Sequence, residues 1–212
     1  MTAALKAARP TTVRNDPDPL TRLAVAAAGG NTAATATLVA ETSRVVWRTC
    51  AGLVDRASAD DLTQDTYLRA IQSLPSYRGE SNPIRWLLTI ARRVCAEEIA
   101  HRQRHRAVLA RLAAERRAVS VDSGSLIEIA DGLARLPTER REAFVLTVVA
   151  GLSYADASIA CGCPIGTIRS RVARARADLV TWLSDADEQA PVALWDQNVV
   201  WIAPRPYLKE GA

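Results

Sequence analysis

Residues 161–176, CGCPIGTIRSRVARAR, join a Cys-x-Cys pair to an arginine-rich segment whose apolar residues have helical spacing. The spacing of Cys161 and Cys163 occurs in thiolate metal sites, whereas arginines along one face of a helix are typical of contacts with nucleic acid. A metal centre and a nucleic-acid interface need different surroundings. The flanking sequence therefore decides between them.

The residues around this stretch predict two helices joined by a tight turn. Gly151 stops the preceding helix, and Ser153 with Asp156 three residues later has the spacing of a capping box. Gly162 suits the end of the helix that Ser153 opens, and Pro164 suits the first turn of the next one. Two helices joined by such a turn form a helix-turn-helix, which places its second helix in the major groove of DNA.

The second helix of this pair divides into two faces. Its apolar residues follow one another at spacings of four, three and four, so we expect them to pack inward: Ile168, Val172, Ala175 and Leu179. The residues off this stripe can reach phosphates and base edges: Thr167, Arg169, Ser170, Arg171, Arg174 and Arg176. A metal site would need two further ligands, and both histidines lie far away in the sequence. We therefore predict DNA binding, with no metal and no cofactor.

Composition predicts the fold class. The 212-residue chain is 49% hydrophobic but only 5% aromatic, and alanine is abundant, which favours helices over a β-sandwich. We expect an all-α protein of two small helical domains joined by a basic linker. The predicted boundaries are a disordered N-terminus at 1–19, a first domain at 20–105, the linker at 106–124, a second domain at 125–184 and a C-terminal extension at 185–212.

The first domain is predicted to contain four helices, and the second domain begins with two more. The four helices begin at Leu20, after Asn31 as N-cap, near Asp61 and near Pro83. The core stripes expected from apolar periodicity are Tyr67, Ile71 and Leu74 in the third helix and Ile84, Leu87, Leu88, Ala91, Val94 and Cys95 in the fourth. The expected core of the second domain before the helix-turn-helix is Leu126, Ile129, Leu133, Leu136, Phe144, Val145 and Val148.

Residues 101–117 carry six arginines and both histidines of the chain, His101 and His105, against a single acid. This segment is either a solvated helix end and linker or an electrostatic contact to nucleic acid. The pattern alone leaves both interpretations open.

Two segments resemble one family. Residues 136–179, from the Leu-Pro lead through LSYADASIACGCP to GTIRSRVARAR, are similar to region 4 of extracytoplasmic-function (ECF) sigma factors, the group IV promoter-specificity subunits of bacterial RNA polymerase. Residues 59–94, ADDLTQDTYLRAIQSLPSYRGESNPIRWLLTIARRV, are similar to region 2. The two matches occur in family order, cover roughly residues 20–184, and look most like the actinobacterial sigma-C type.

The resemblance implies the partners and the residues that bind them. The partners would be the polymerase core, through its β′ clamp helices and β flap, and promoter DNA, with an anti-sigma factor as a further candidate. The helix-turn-helix residues given above would bind the −35 element. The core contact would be Asp61, Gln64, Asp65 and Leu68, and the −10 contacts, where a base is flipped into a loop pocket, would be Tyr77, Arg78, Ser81, Asn82, Arg85, Thr89, Arg92 and Arg93.

Three points qualify this assignment. The acidic pattern of the core contact also fits an ordinary solvated surface, and Trp86 is expected to be a core anchor rather than a DNA contact. Many relatives have Asn in place of Arg93, so the −10 preference of this chain is in doubt. Ala173 is smaller than the residue common in relatives, which puts the −35 preference in doubt as well.

Other classes of protein fit the sequence less well. No apolar run approaches the roughly 20 residues of a membrane span, and the N-terminus lacks a signal-peptide pattern, so a cytoplasmic protein with reduced cysteines is expected. No P-loop, Gly-x-Ser-x-Gly or His-Glu-x-x-His motif occurs, so we expect no enzyme. A stand-alone helix-turn-helix repressor or activator is the remaining alternative.

The C-terminal segment 185–212 lies beyond the resemblance. It holds five acids against two basic residues, and it also carries Trp195 and Trp201, which are too apolar for a solvated linker. We expect residues 194–203 to dock on an apolar groove of the helical domains, with the acidic stretch 185–188 near the DNA-binding surface. An incidental, disordered tail is the alternative.

Deleting every residue after Ser184 tests the docked tail. The truncated chain should show a changed melting temperature and altered promoter affinity or salt dependence, because apolar burial and negative charge are both removed. Calorimetry and promoter-binding titrations at two salt concentrations measure these effects. If melting, core binding and transcription all match those of the full chain, the tail has no role in cis.

Overall fold

The computed structural model describes residues 18–112 and 128–187, and every regular element in these two ranges is helical. The predictions for 1–17, 113–127 and 188–212, including the tail hypothesis and the Leu126 core position, lie outside them, as does the side chain of Ile129. The first block consists of α1 (Pro19–Ala28), α2 (Thr32–Leu53), α3 (Ala59–Ser73), a 3₁₀ turn (Leu74–Ser76) and α4 (Pro83–Leu112). The second consists of α5 (Glu128–Arg135), α6 (Thr138–Phe144) with a π-helical continuation (Val145–Val149), α7 (Tyr154–Cys161) and α8 (Ile165–Asp187).

Local capping sets the first helices. The Asp18 carboxylate accepts the backbone N–H groups of Leu20 and Thr21 at 3.0 and 3.1 Å, so α1 begins before the predicted boundary at residue 20. Gly30, with φ of 90°, follows the end of this helix. Asn31 then caps α2 as predicted, accepting the Ala34 N–H at 3.0 Å.

Two expectations for the first block are wrong in detail. Ile71 is 48% exposed instead of buried, because the inner face of α3 is completed by smaller residues such as Thr66 and Ala70. Ile71 therefore shares the outer face with Leu68. The fourth helix continues to Leu112, so residues 106–112, which were predicted to be linker, are helical.

The second block contains a shift of helical register. The core position expected at Val148 is wrong, because Val148 is 42% exposed while Leu146 is fully buried. Over Val145–Val149 the backbone forms a π-turn, in which the Ala150 N–H bonds to the carbonyl of Val145 at 2.9 Å. A π-turn holds one more residue than an α-turn, so the face that points inward rotates.

The two predicted domains share one hydrophobic core. Side chains with under 2% exposure come from both blocks, among them Leu87 and Leu88 of α4 and Ile168 of α8. At the contact of α2 with the second block, a Cβ added to Gly52 would lie 3.1 Å from a methyl group of Val145, so a larger residue there would crowd the contact. None of the helices described is long and apolar enough to cross a membrane.

Arg141 links the blocks by hydrogen bonds. Its guanidinium donates to the carbonyl of Leu53, at the end of α2, at 3.1 Å, and to the carbonyls of Ala134 and Leu136 at 2.5 and 3.1 Å. These carbonyls lie at helix ends, where they lack partners within the helix. Burial lowers the pKa of Arg141. Its Nε has no hydrogen-bond partner, so one donor of this guanidinium is buried and unsatisfied at the junction.

Replacing Leu146 and Val148 separately tests the register shift. Leu146→Ala should lower the free energy of unfolding by about 2–5 kcal/mol, because it opens a cavity in the core. Val148→Ala should change it by about 0.5 kcal/mol or less, because this side chain faces solvent. Urea unfolding of the two variants beside the wild type measures the difference, and equal losses would contradict the π-turn.

Candidate nucleic-acid and polymerase interfaces

The turn between α7 and α8 has the predicted helix-turn-helix geometry. Ser153 caps α7, its hydroxyl accepting the Asp156 N–H at 3.0 Å. Gly162, with φ of 64°, ends this helix in the left-handed region, and the Cys163 N–H bonds back to the carbonyl of Ser158 at 3.1 Å. Only three residues, 162–164, separate the two helices, so this short turn sets the position of α8 against α7.

The second helix of this motif, α8, has the two faces expected from its spacing. Ile168, Val172 and Ala175 are buried at 0–1% exposure. Of the polar set, Thr167 and Arg171 are half-buried, and the others are exposed: Arg169, Ser170, Arg174 and Arg176. The Arg171 guanidinium lies 3.6 Å from the sulfur of Cys163, so the turn itself orients one arginine of the set.

The loop before α4 forms an open cavity of about 480 Å³. The Tyr77 hydroxyl donates to the carbonyl of Ser81, and its ring centroid lies 5.2 Å from that of Trp86 at a tilt of 48°. Burial raises the pKa of Tyr77, which keeps this hydroxyl a donor. The lining residues are Ser76, Tyr77, Arg78, Glu80, Ser81, Arg85 and Trp86.

Trp86 and Gly79 hold this loop against the first block. Trp86 is half-buried and packs against the shared core, as expected for a core anchor, and it also lines the cavity, so the two roles weighed for it are compatible. Gly79 has φ of 77°, and a Cβ there would lie 2.9 Å from a methyl of Val25. A larger residue would therefore push the loop away from α1.

Two of the predicted −10 contacts also have structural roles. Asn82 caps α4, its side-chain oxygen accepting the N–H groups of Ile84 and Arg85 at 2.8 and 3.4 Å. The hydroxyl of Thr89 donates to the carbonyl of Arg85 at 2.8 Å. For Asn82 this leaves the amide nitrogen as the group that can contact a ligand.

Two arginines of the predicted −10 set face the second block instead of open solvent. The Nε of Arg92 lies 2.9 Å from a carboxylate oxygen of Glu142, and its Nη1 donates to the carbonyl of Ala160 at 3.5 Å. Arg85 lies 3.5 Å from the carboxylate of Asp156. Arg78 and Arg93 are exposed, so the structure divides the predicted arginines into an accessible pair and an engaged pair.

The predicted core contact lies on the outer face of α3. Asp61 and Gln64 are exposed, and Leu68 is 61% exposed. Asp65 pairs with Arg69 at 3.0 Å, and Arg69 reaches Glu97 of α4 at 2.7 Å. Ile71 extends this surface by a second exposed apolar side chain. Its position three residues after Leu68 was the sequence signal that could have assigned it to the outer face.

Comparison with known proteins agrees with this architecture. Residues 38–105 match the family Sigma-70 region 2, and residues 126–179 match Sigma-70, region 4. The chain is 45% identical over 182 residues to ECF RNA polymerase sigma factor SigC of Mycobacterium tuberculosis, covering 84% of this chain and 96% of that protein. ECF RNA polymerase sigma factor EcfG of Rhodopseudomonas palustris is 36% identical over 147 residues, covering 66% and 79% of the two chains.

Two solved structures are similar in fold. CnrH, in complex with the cytosolic domain of CnrY, superposes with a TM-score of 0.62 at 29% identity over 81% of this chain and 99% of that one. The sigma factor RpoE of Bartonella quintana, in complex with the anti-sigma factor NepR, gives 0.56 at 32% identity over 69% and 94%. The protein described here therefore belongs to the ECF sigma factors, which direct bacterial RNA polymerase to promoters. The recognition of the family from its two motifs is confirmed, and the sigma-C likeness with it.

Removing one member of the contact between the blocks should destabilise the protein. Arg92→Ala leaves the Glu142 carboxylate, 8% exposed, without its cation, so we expect a loss of about 1–3 kcal/mol in the free energy of unfolding. Arg93→Ala, the neighbouring exposed arginine, is the matched control and should change stability by about 0.5 kcal/mol or less. Urea unfolding at neutral pH measures both, and equal effects would show that the ion pair does not contribute.

Proposed function

We propose that three surfaces of this chain carry its promoter-specificity role. The outer face of α3 binds the polymerase core, the loop cavity and α4 bind the −10 element, and α8 binds the −35 element. The observation that carries this proposal is the loop cavity, because its aromatic and cationic lining lies on the same chain as a helix-turn-helix with an exposed arginine face. The phosphodiester chemistry belongs to the polymerase, and the chain acts beside it in the cytoplasm.

The cavity has the properties needed to hold a flipped base. Its volume of about 480 Å³ lies within the roughly 300–1,000 Å³ of small-ligand sites, which is large enough for one nucleobase. The rings of Tyr77 and Trp86 offer surfaces for base stacking. Arg78 lies exposed at the rim, where its charge can contact a phosphate of the unpaired strand.

The exposed face of α8 fits the major groove. Arg169, Arg174 and Arg176 are exposed, and arginine can donate two hydrogen bonds to the O6 and N7 atoms of guanine. Ser170 lies beside them near the N-terminal end of the helix, the end from which recognition helices contact base edges.

The outer face of α3 fits a protein contact. Asp61, Gln64 and Asp65 precede two apolar side chains on this helix, those of Leu68 and Ile71, which are 61% and 48% exposed. An apolar centre with a charged rim is the usual anatomy of a protein interface. The polymerase core is the partner we assign to this surface, through its β′ clamp helices.

DNA binding at the −10 element requires the contacts between the two blocks to change. Arg85 and Arg92 cannot hold both the acids of the second block and a DNA strand. Because phosphate is also an anion, it can replace Asp156 and Glu142 as the partner of these arginines. The solved relatives are complexes, CnrH with the cytosolic domain of CnrY and RpoE with the anti-sigma factor NepR, and an anti-sigma factor is the further partner that we propose for this chain.

The −35 assignment is tested by Arg174→Ala. Promoter binding by the reconstituted holoenzyme should weaken by about 1–3 kcal/mol, because one base contact is lost. Arg44→Ala, which removes an exposed arginine from α2, is the matched control and should leave promoter binding unchanged. Gel-shift titrations with and without core polymerase measure the effect. Tight, specific binding by the chain alone would instead favour the stand-alone repressor or activator.

The core contact is tested by Asp65→Arg. This substitution should weaken binding to core polymerase, because it reverses a charge within the proposed interface and breaks the ion pair with Arg69. Glu41→Arg, the same charge reversal at an exposed position of α2, should retain wild-type affinity. A fluorescence titration against core measures both, and unchanged affinity of the Asp65 variant with an intact fold would refute this interface.

A further inference from the structure

The four cysteines of the chain fall into two pairs with different surroundings. Cys50 and Cys95 lie in the shared core at 0% and 1% exposure. Cys161 and Cys163 are half-buried and flank Gly162 in the turn of the helix-turn-helix. A reagent in solution can therefore reach the turn pair, whereas the core pair becomes accessible only when helices separate.

The turn pair lies beside two functional groups, one on the recognition helix and one at the junction of the blocks. The sulfur of Cys163 lies 3.6 Å from the guanidinium of Arg171, one of the proposed −35 residues. Cys161 directly follows Ala160, whose carbonyl accepts a hydrogen bond from Arg92 at the junction of the blocks. A chemical change at these two sulfurs thus acts on the recognition helix and on the engaged −10 arginine together.

The backbone of the turn brings the two cysteines close enough to be bridged. Alpha carbons two residues apart are at most about 7 Å apart, near the upper limit of about 6.8 Å for a disulfide. The left-handed conformation of Gly162, with φ of 64°, bends the chain and shortens that separation. The part of the chain that the structure describes brings no third cysteine, histidine or acid into a metal-binding group with this pair.

We propose that Cys161 and Cys163 are a thiol modification site: a peroxide converts them to an intramolecular disulfide, which weakens binding of α8 to the −35 element. This inference rests on the proposed function of α8. The bond ties the Cys163 sulfur to Cys161, so the thiol that contacts Arg171 is replaced by a disulfide sulfur with a fixed position, and the contact that orients the arginine changes.

The reaction balances in two steps with hydrogen peroxide as the oxidant. The Cys163 sulfur attacks the O–O bond and becomes a sulfenic acid, and the second oxygen leaves as water. The Cys161 sulfur then displaces the hydroxyl from that sulfenic sulfur, and its thiol proton leaves with the hydroxyl as a second water. Burial raises the pKa of Cys161 to about 11, which suits Cys163 as the first thiol to react.

The disulfide is detected by peptide mapping of the full chain. After treatment with hydrogen peroxide, remaining thiols are alkylated and the protein is digested with trypsin. Cys161 and Cys163 fall together in the peptide 142–169, whereas Cys50 and Cys95 fall in 49–56 and 94–102. We expect peptide 142–169 to lose two hydrogens and to escape alkylation, while the other two peptides remain alkylated. Alkylation of both turn cysteines, or a cross-link of 49–56 to 94–102 alone, would overturn the proposal.

The effect on DNA is measured with holoenzyme. The chain is oxidised, freed of peroxide, and only then combined with reduced core polymerase, so that cysteines of the core are not affected. Promoter affinity should fall about tenfold or more, as expected for loss of one arginine base contact, and dithiothreitol should restore it. Cys163→Ser, which cannot form the bond, should bind equally before and after peroxide.

The controls separate this proposal from the proposed function. If reduced wild-type holoenzyme does not bind the promoter, the function of α8 is wrong, and the peptide map still decides whether the disulfide forms. If the disulfide forms and affinity is unchanged, the regulatory inference is wrong while the function stands. Cys161→Ser provides a second variant with the same expected insensitivity, should Cys163→Ser fail to fold.

Discussion

The ion pair between Arg92 of α4 and Glu142 of α6 holds the two helical blocks in their relative position. Glu142 is only 8% exposed, and a carboxylate removed from water needs a cation and hydrogen bonds to remain charged. Arg92 supplies the cation at 2.9 Å, and its second contact, the carbonyl of Ala160, also ties α7 to α4. The apolar core around this pair can be continuous across both blocks because the charge at its edge is neutralised.

The same contact links architecture to function. An arginine that serves as the partner of a buried carboxylate is not available to a DNA strand, so the stability of the junction and the proposed −10 contact are opposed. The Nε of Arg141 has no hydrogen-bond partner, so one buried donor at the contact between the blocks remains unsatisfied. Promoter DNA offers a high local density of negative charge, which is the kind of partner that can compete with carboxylates for arginine.

The helix-turn-helix depends on a different constraint, the space available in its turn. Gly162 adopts the left-handed conformation, and the hydroxyl of Ser158 donates to the backbone carbonyl of Cys163 at 2.6 Å. The stretch that suggested either a metal site or a DNA contact is thus part of the DNA-binding motif. Its cysteines flank the glycine, and one of them contacts Arg171 of the recognition helix.

The sequence by itself determined the helical class, the helix-turn-helix with its buried stripe, the caps at Asn31 and Ser153, and the two family motifs. These features follow from spacing along one helix or from the chemistry of a single turn, which are local properties. Tertiary structure alone decided that Val148 faces solvent, because a π-turn changes which face of the helix points inward. It also decided that Arg85 and Arg92 pair with Asp156 and Glu142, because those contacts join residues remote in sequence. Periodicity within one helix carries no information about which charge of another helix will lie opposite, and that choice is made only when the two blocks pack on a common core.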